Sequence, residues 1–152
     1  MYDSLPSPTL RQTWLGILAR ASAAEISRHL ADAPALPAFS HLRTPESGMA
    51  MVRGRMGGGG APFNLGEMTI TRCTIRDSEG RVGHGYAAGR DAAQVELIAR
   101  LDAALQDETL YPEYEAAVLR PLSEAQAARR AGVESRAAAT EVKFFTLAAM
   151  RS

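Results

Sequence analysis

The chain has 152 residues, 17 basic against 17 acidic, so its formal net charge is zero, and 46% of its residues are hydrophobic. That length suits one domain, the balanced charge gives no sign of a nucleic-acid partner, and the apolar runs fall far short of a membrane span. The N-terminus lacks a basic region followed by an apolar core, so no secretion signal is read there and the cytoplasm is the expected location. A single cysteine, Cys73, excludes an intrachain disulfide and any CxxC metal or cluster motif. Lys143 is the one lysine among the 17 basic residues. The arginine excess suits bidentate anion contacts and interface ion pairs, although a GC-rich genome accounts for it equally simply.

Residues 1–7 read as a loose tail, and residues 8–152 as one domain. Ser7 caps a first helix with Pro8 at its first position, where a missing N–H does no harm. Trp14, Leu15, Ile17 and Leu18 give that helix an apolar stripe. Ser22 and Glu25 form a capping box for a second helix, which Pro34 and Pro37 end. A β region follows. Phe39 to Arg43 and Met49 to Met56 read as strands joined by a turn at Thr44 to Gly48. In the second, Ala50, Val52, Gly54 and Met56 lie on one face and Met49, Met51, Arg53 and Arg55 on the other. Gly57 to Gly60 form a flexible connection.

Glu67 to Arg76 is a third strand. Its apolar phase shifts between Ile70 and Cys73, which predicts a bulge or burial on both sides. Asp77 to Gly80 make a hairpin loop, and Arg81 to Ala88 return as a fourth strand. Asp91 caps a helix with Gln94 placed to reciprocate. Val95, Ile98, Leu101 and Leu105 line its buried face. Tyr111 to Arg120 is a short helix or irregular segment. Ser123 with Gln126 caps an alanine-rich helix to about Ala139, whose thin stripe (Ala127, Ala131, Val133) calls for a partner surface. Thr140 to Leu147 reads as a last strand. The expected fold class is α+β: a mainly antiparallel sheet of four to five strands with helices packed on it.

No catalytic or metal constellation is legible. The glycine run lacks the lysine and hydroxyl of a P-loop, and a disordered or partner-ordered loop is favoured over an anion nest. Arg53, Arg55, Arg72 and Arg76 share parities on adjacent strands, and on one face they would grip a triphosphate or a partner's carboxylates. The alternative is a solvated face laced with ion pairs, Glu67 included. His84, between Gly83 and Gly85, has room for a close ligand or backbone. Without a neighbouring acid or nucleophile it reads first as structural. His29 and His41 share no metal-ligand spacing with it. Cys73 has nothing local to activate it. Tyr86 and Arg90 approach the start of the Asp91 helix, where anions are attracted, but Asp91 already occupies that start as cap. Glu67 and Glu96 have no paired acid, so no hydrolase dyad is argued. Arg53, Arg55, Arg72, His84 and Arg90 are the candidate substrate-binding residues.

Three strings carry a resemblance: Phe63 to Cys73 (PheAsnLeuGlyGluMetThrIleThrArgCys), Val82 to Tyr86 (ValGlyHisGlyTyr) and Gly89 to Asp91 (GlyArgAsp). With ArgGlnThrTrpLeu at Arg11 to Leu15 and LysPhePhe at Lys143 to Phe145, the chain resembles the PhnG family, G subunits of the bacterial carbon–phosphorus lyase core complex. Family members often carry a hydroxyl residue in the glycine run, which this chain lacks. The resemblance implies a non-catalytic or accessory subunit of a cytoplasmic machine for phosphonate catabolism. Its partners would be the I-, H- and J-type subunits, with the L- and K-type proteins as further candidates. The implied reaction displaces adenine from ATP with methylphosphonate, giving α-D-ribose 1-methylphosphonate 5-triphosphate. Its chemistry would reside chiefly in the I-type subunit; the J-type, a radical SAM protein with an iron–sulfur cluster, later breaks the carbon–phosphorus bond. ATP would be substrate of the complex, and this chain would bind no cofactor or metal. A free-standing anion-binding module is the reading from a different class.

Overall fold

In the computed structural model, which describes residues 8–142, two short helices precede a three-stranded sheet and three further helical segments. Helix α1 spans Pro8–Ala19 and α2 spans Ala23–Leu30. The expected capping box is present: the Ser22 N–H donates to Glu25 at 2.8 Å and the Glu25 N–H to the Ser22 hydroxyl at 3.2 Å. Strands β1 (Phe39–Arg55), β2 (Pro62–Asp77) and β3 (Val82–Ala88) pair antiparallel in the order β1-β2-β3. Helix α3 (Ala92–Ala104) covers one face of β2 and β3. Trp14, Leu18, Ile26, Ile75, Ile98 and Leu101 are among the residues buried between sheet and helices.

Among the described residues the sheet has three strands, not four to five. Two expected strands fuse into β1, because the chain runs on through Thr44 to Gly48 instead of turning. Register shifts between His41 and Arg43 and between Arg43 and Glu46 absorb the extra residues. Pro45 is tolerated there because β1 is an edge strand and a bulge needs no ladder bond from it. The phase change foreseen in β2 is neither a bulge against β3 nor full burial on both sides: Thr71, Cys73 and Ile75 are buried on one face, while Arg72 and Arg76 are exposed on the other. Cys73 and Ile75 face the helices, Ile70 is half-buried, and β2 pairs with β3 without a shift. The last expected strand, Thr140 to Leu147, lies largely outside the described residues; Glu141 and Val142 have no regular structure.

Past α3 the chain forms α4 (Tyr111–Tyr114), a π turn at Glu115–Leu119 and α5 (Arg120–Ala139) without a break. Ser123 is therefore inside a helix, not its cap. Pro121 explains the π turn: its ring has no N–H and collides with the carbonyl four residues back, so the preceding turn widens. The Arg120 N–H accordingly donates to the Glu115 carbonyl. Asp91 does cap α3, accepting from the Gln94 N–H at 3.1 Å. The Gln94 side chain does not reciprocate; it donates to the Ala21 carbonyl at 2.7 Å and ties α3 to the end of α1.

One buried carboxylate joins α1, β3 and α3. Asp102, fully buried, accepts from Arg11 Nε at 3.0 Å, Arg11 Nη2 at 2.6 Å, Trp14 Nε1 at 2.9 Å and the His84 backbone N–H at 2.8 Å. The sheet meets α3 at equally close quarters. A Cβ on Gly83 would lie 1.8 Å from the Ala99 carbonyl oxygen, and one on Gly85 1.9 Å from that of Val95. Asp102→Asn, which puts an amide against donors and strands Arg11, should lower urea-unfolding stability by about 3 kcal/mol or more. Gly85→Ala should cost at least roughly 1–3 kcal/mol through overpacking, read as a lowered Tm with the helical signal retained.

Candidate interaction surface

The arginines do not form one cluster. Arg72 and Arg43 both bond Glu46, Arg72 Nε at 2.7 Å and Arg43 Nη1 at 2.6 Å. Arg43 first, then Arg72, holds the Glu46 carboxyl below its ordinary value. Arg53 and Arg55 sit seven or more residues further along β1, about 23 Å away at a strand's rise of ~3.3 Å per residue. They are in phase with Ser47, whose hydroxyl meets that of buried Thr71 on the helix-bearing side at 2.9 Å. Arg72 and Arg76 have the opposite phase on β2 and are exposed. Arg53, Arg55, Arg76 and Arg90 have no ion-pair partner among the described residues.

His84 is held by its backbone bond to Asp102, and its exposed ring meets Thr74 Oγ1 at 3.2 Å. The room made by Gly83 and Gly85 is taken by α3. Arg90 is exposed, just ahead of the Asp91 cap; Tyr86 is exposed on the sheet's open face. His41 Nε2 lies 2.8 Å from Glu96 Oε2, a pair with no counterpart in the sequence reading. Burial pushes the Cys73 thiol up to about 11, Glu96 adding to the effect, which suits a packed and unreactive side chain. No group of three or more potential metal ligands occurs among the described residues.

The glycines form the tip of the β1–β2 hairpin. A 3-10 turn covers Met56–Gly58, with Gly57 in the left-handed region at φ 65°. The N–H groups of Gly59 and Gly60 both donate to the Met56 carbonyl, so these two donors are turned inward and withdrawn from any anion.

The structure adds a surface that sequence reasoning did not delimit. From Gly48 to Arg55, β1 pairs with Pro62 to Ile70 beyond the end of β3 and away from the helix layer. This is a two-stranded ribbon. Met49, Met51, Phe63, Leu65 and Met68 are exposed on it, Met51 at 60% and Leu65 at 62%, and Met56 is exposed at its tip; the pairing of Ala50 with Met68 sets Met68 on the face opposite Met49 and Met51. An isolated two-stranded ribbon is marginal in water, and large exposed apolar surfaces accompany interaction sites. Helix α5 is the second projection. Gln126 Nε2 donates to the Ile17 carbonyl at 2.9 Å and Arg129 Nη1 to Glu25 Oε1 at 2.8 Å. From Ala127 to Val142 every residue is exposed.

The sequence reading also passed over Asp102. A signal was present: Val95, Ile98, Ala99 and Asp102 follow the helical spacing of one buried face, which puts a carboxylate where only a satisfied one survives.

The family model for phosphonate metabolism protein PhnG matches residues 9–150. A protein of Rhizobium meliloti (strain 1021), described as alpha-D-ribose 1-methylphosphonate 5-triphosphate synthase subunit PhnG, is 41% identical over 137 residues, covering 90% of this chain and 87% of that protein.

The root of α5 holds a titratable tether, Glu25 with Arg129. The Ser22 backbone N–H first, and then the Arg129 guanidinium, hold the Glu25 carboxyl at about 2 against an ordinary 4.5. A depressed carboxylate stabilises the fold fully above its unfolded value and loses that contribution as pH falls through its folded one. Acidification from pH 5 to 2 should therefore weaken the α2–α5 tether. The measurement is urea stability against pH. The wild-type loss across that window should exceed that of Glu25→Gln, whose side chain does not titrate.

Proposed function

Since the chain belongs to the phosphonate metabolism protein PhnG family, we propose that it is an accessory, non-catalytic subunit of the synthase that makes α-D-ribose 1-methylphosphonate 5-triphosphate. In this reading the chain docks on larger subunits, the I-type foremost. It supports that subunit in transferring the ribose 5-triphosphate moiety of ATP to methylphosphonate, with release of adenine. The H- and J-type subunits, and the L- and K-type proteins, are its further proposed associates in the cytoplasm. ATP is substrate of the complex, and this chain contributes no cofactor.

The observation that carries the reading is the bare ribbon. Six large apolar side chains stand exposed on a two-stranded element and its tip, uncovered by any other described residue. Covering such a patch is worth roughly 25 cal/mol per Å² of apolar area removed from water. The exposed half of α5 offers a second contact of the same kind. No group of three or more metal ligands occurs among the described residues, and the Cys73 thiol is buried and pushed up to about 11.

A second reading has one observation in its favour: Arg53 and Arg55 are exposed and without ion-pair partners beside the hairpin tip. On that reading they hold nucleotide phosphates in the assembled site. Charge-assisted hydrogen bonds of this kind are worth about 1.5–3 kcal/mol each.

Purified chain given ATP and methylphosphonate should release no adenine, whereas the co-purified complex should, and omitting this chain should lower that rate. Turnover by the isolated chain would defeat the accessory role. Elution alone from a lysate, apart from every synthase subunit, would favour a free-standing module. The Arg53→Ala, Arg55→Ala double variant separates the two readings. An intact complex with unchanged KM for ATP supports docking alone; a KM raised ~10-fold or more in an intact complex supports phosphate contact.

A further inference from the structure

Strand β3 is shorter than the strand it flanks. It pairs with β2 from Ile70 to Arg76, whereas β2 begins at Pro62. Beyond β3, β2 has among the described residues a neighbour on one side alone, β1. Two bonds fix the backbone phase on the vacant side. The Gly89 N–H donates to the Thr69 carbonyl at 2.9 Å, and the Asp77 N–H donates to the Arg81 carbonyl at 2.9 Å. Thr69 and Asp77 thus aim their backbone groups toward β3, and residues two apart in a strand share that direction. The next residue in this phase is Glu67. Its N–H and C=O point into the space that β3 leaves open.

The sheet's other margins are protected along much of their length. On the outer edge of β3, the Val82 carbonyl accepts from Gln106 Nε2 at 2.8 Å and the His84 N–H is bound to Asp102. On β1, two register shifts and Pro45 spoil the first half of the edge. Among the described residues the β2 rim has no such device at Glu67 itself; the register shift between Val52 and Arg53, which leaves Leu65 unpaired, falls beyond it toward the hairpin tip. Exposed Phe63, Leu65 and Met68 lie along the rim, Arg90 stands near the end of β3, and Arg53 and Arg55 stand toward the hairpin tip. Glu67 is the one carboxylate in the whole ribbon.

We propose that an extended strand from a larger subunit adds to β2 around Glu67 and continues the line of β3. The proposal rests on the accessory-subunit reading. Main-chain bonds to Glu67 supply the pairing, and alternate apolar side chains of the incoming strand meet the apolar residues of β2. Carboxylates toward the ends of that strand answer Arg90 at one side and Arg53 and Arg55 at the other. A second copy of this chain fits poorly, because an identical rim would bring the same arginines against one another.

Hydrogen exchange resolved to single amides tests this on the unaltered full chain, alone and in the co-purified synthase complex. The Glu67 amide should exchange freely in the isolated chain and slow by at least ~100-fold in the complex, while Cys73, already between two strands, changes little. Glu67→Pro, which removes the N–H, should weaken co-assembly at least ~10-fold, and Glu67→Gln, which keeps it, should not. Because proline can also disturb the ribbon, the exchange result decides. A complex in which Glu67 exchanges as in the free chain overturns strand addition and leaves the subunit role standing. Protection at Met49 or Met51 instead puts the strand on the opposite rim and equally overturns it. Glu67 protected in a dimer of this chain alone shows a second copy as occupant and overturns the choice of partner. A chain that never co-elutes with any synthase subunit loses both readings.

Discussion

The Asp102 carboxylate holds this fold in one arrangement. An ion of this kind costs several kcal/mol to take out of water, and only a full set of donors offsets that. Here four donors converge on its two oxygens, from the Arg11 guanidinium, the Trp14 indole and the His84 backbone. They come from α1 and β3, while the carboxylate comes from α3. The roll of α3 and the placement of α1 across the end of β3 are therefore set together. Once that roll is fixed, the backbones of Val95 and Ala99 rest on the strand where only hydrogen occupies the Cβ position. Trp14, held by the same carboxylate, then packs against Tyr111 with ring centroids 5.9 Å apart and planes tilted by 43°, which sets where the π turn and the root of α5 leave the body.

A second polar knot ties the same end of the sheet. Asp77 accepts from the backbone of Glu79 and Arg81 and from Arg81 Nε, and Arg81 reaches on to Asp107 at 2.8 Å. Burial works against the Arg81 charge, yet the bonds to Asp77 and Asp107 outweigh it and its pKa is raised. The Thr109 hydroxyl first, and also Arg81, keeps Asp107 below its ordinary value. The hairpin loop is thereby fastened to the segment after α3. The far end of β1 and β2 has neither knot nor helix. Among the described residues the polar and helical fastenings are concentrated at one end of the sheet.

Features legible in the sequence were those with a local cause. The Ser22–Glu25 box, Pro8 in the first turn of α1, the β2–β3 hairpin and the helix after Asp91 all follow from neighbours within a few residues, and each is present. What was misread depended on contacts distant in the chain. Thr44 to Gly48 has turn composition, but the strand opposite is long enough to pull it straight, with bulges taking up the slack. Gln94 had the spacing of a capping partner and was drawn off by carbonyls about 73 residues away in sequence. The arginine ladder was correct in alternation and mistaken in grouping. Parity tells which side a residue faces on its own strand, while the register between strands, which decides what meets what, is not local information.

That register also bears on what the arginines do. Gripping a phosphate chain takes guanidiniums that converge on adjacent oxygens, and Arg72, spent on Glu46, lies far from Arg53 and Arg55. The unpaired arginines instead border an apolar strip. The centres of protein interfaces are enriched in aromatic residues, methionine and arginine and depleted in lysine and acids. Four of the chain's six methionines, Met49, Met51, Met56 and Met68, are on the ribbon or its tip, with Phe63 beside them and Glu67 the lone acid. Methionine adapts its shape to an opposing surface, which suits a strip that must stay soluble before assembly and fit closely after it. Composition, bare edge and absent knot coincide at one end of the sheet, and a catalytic site requires none of the three.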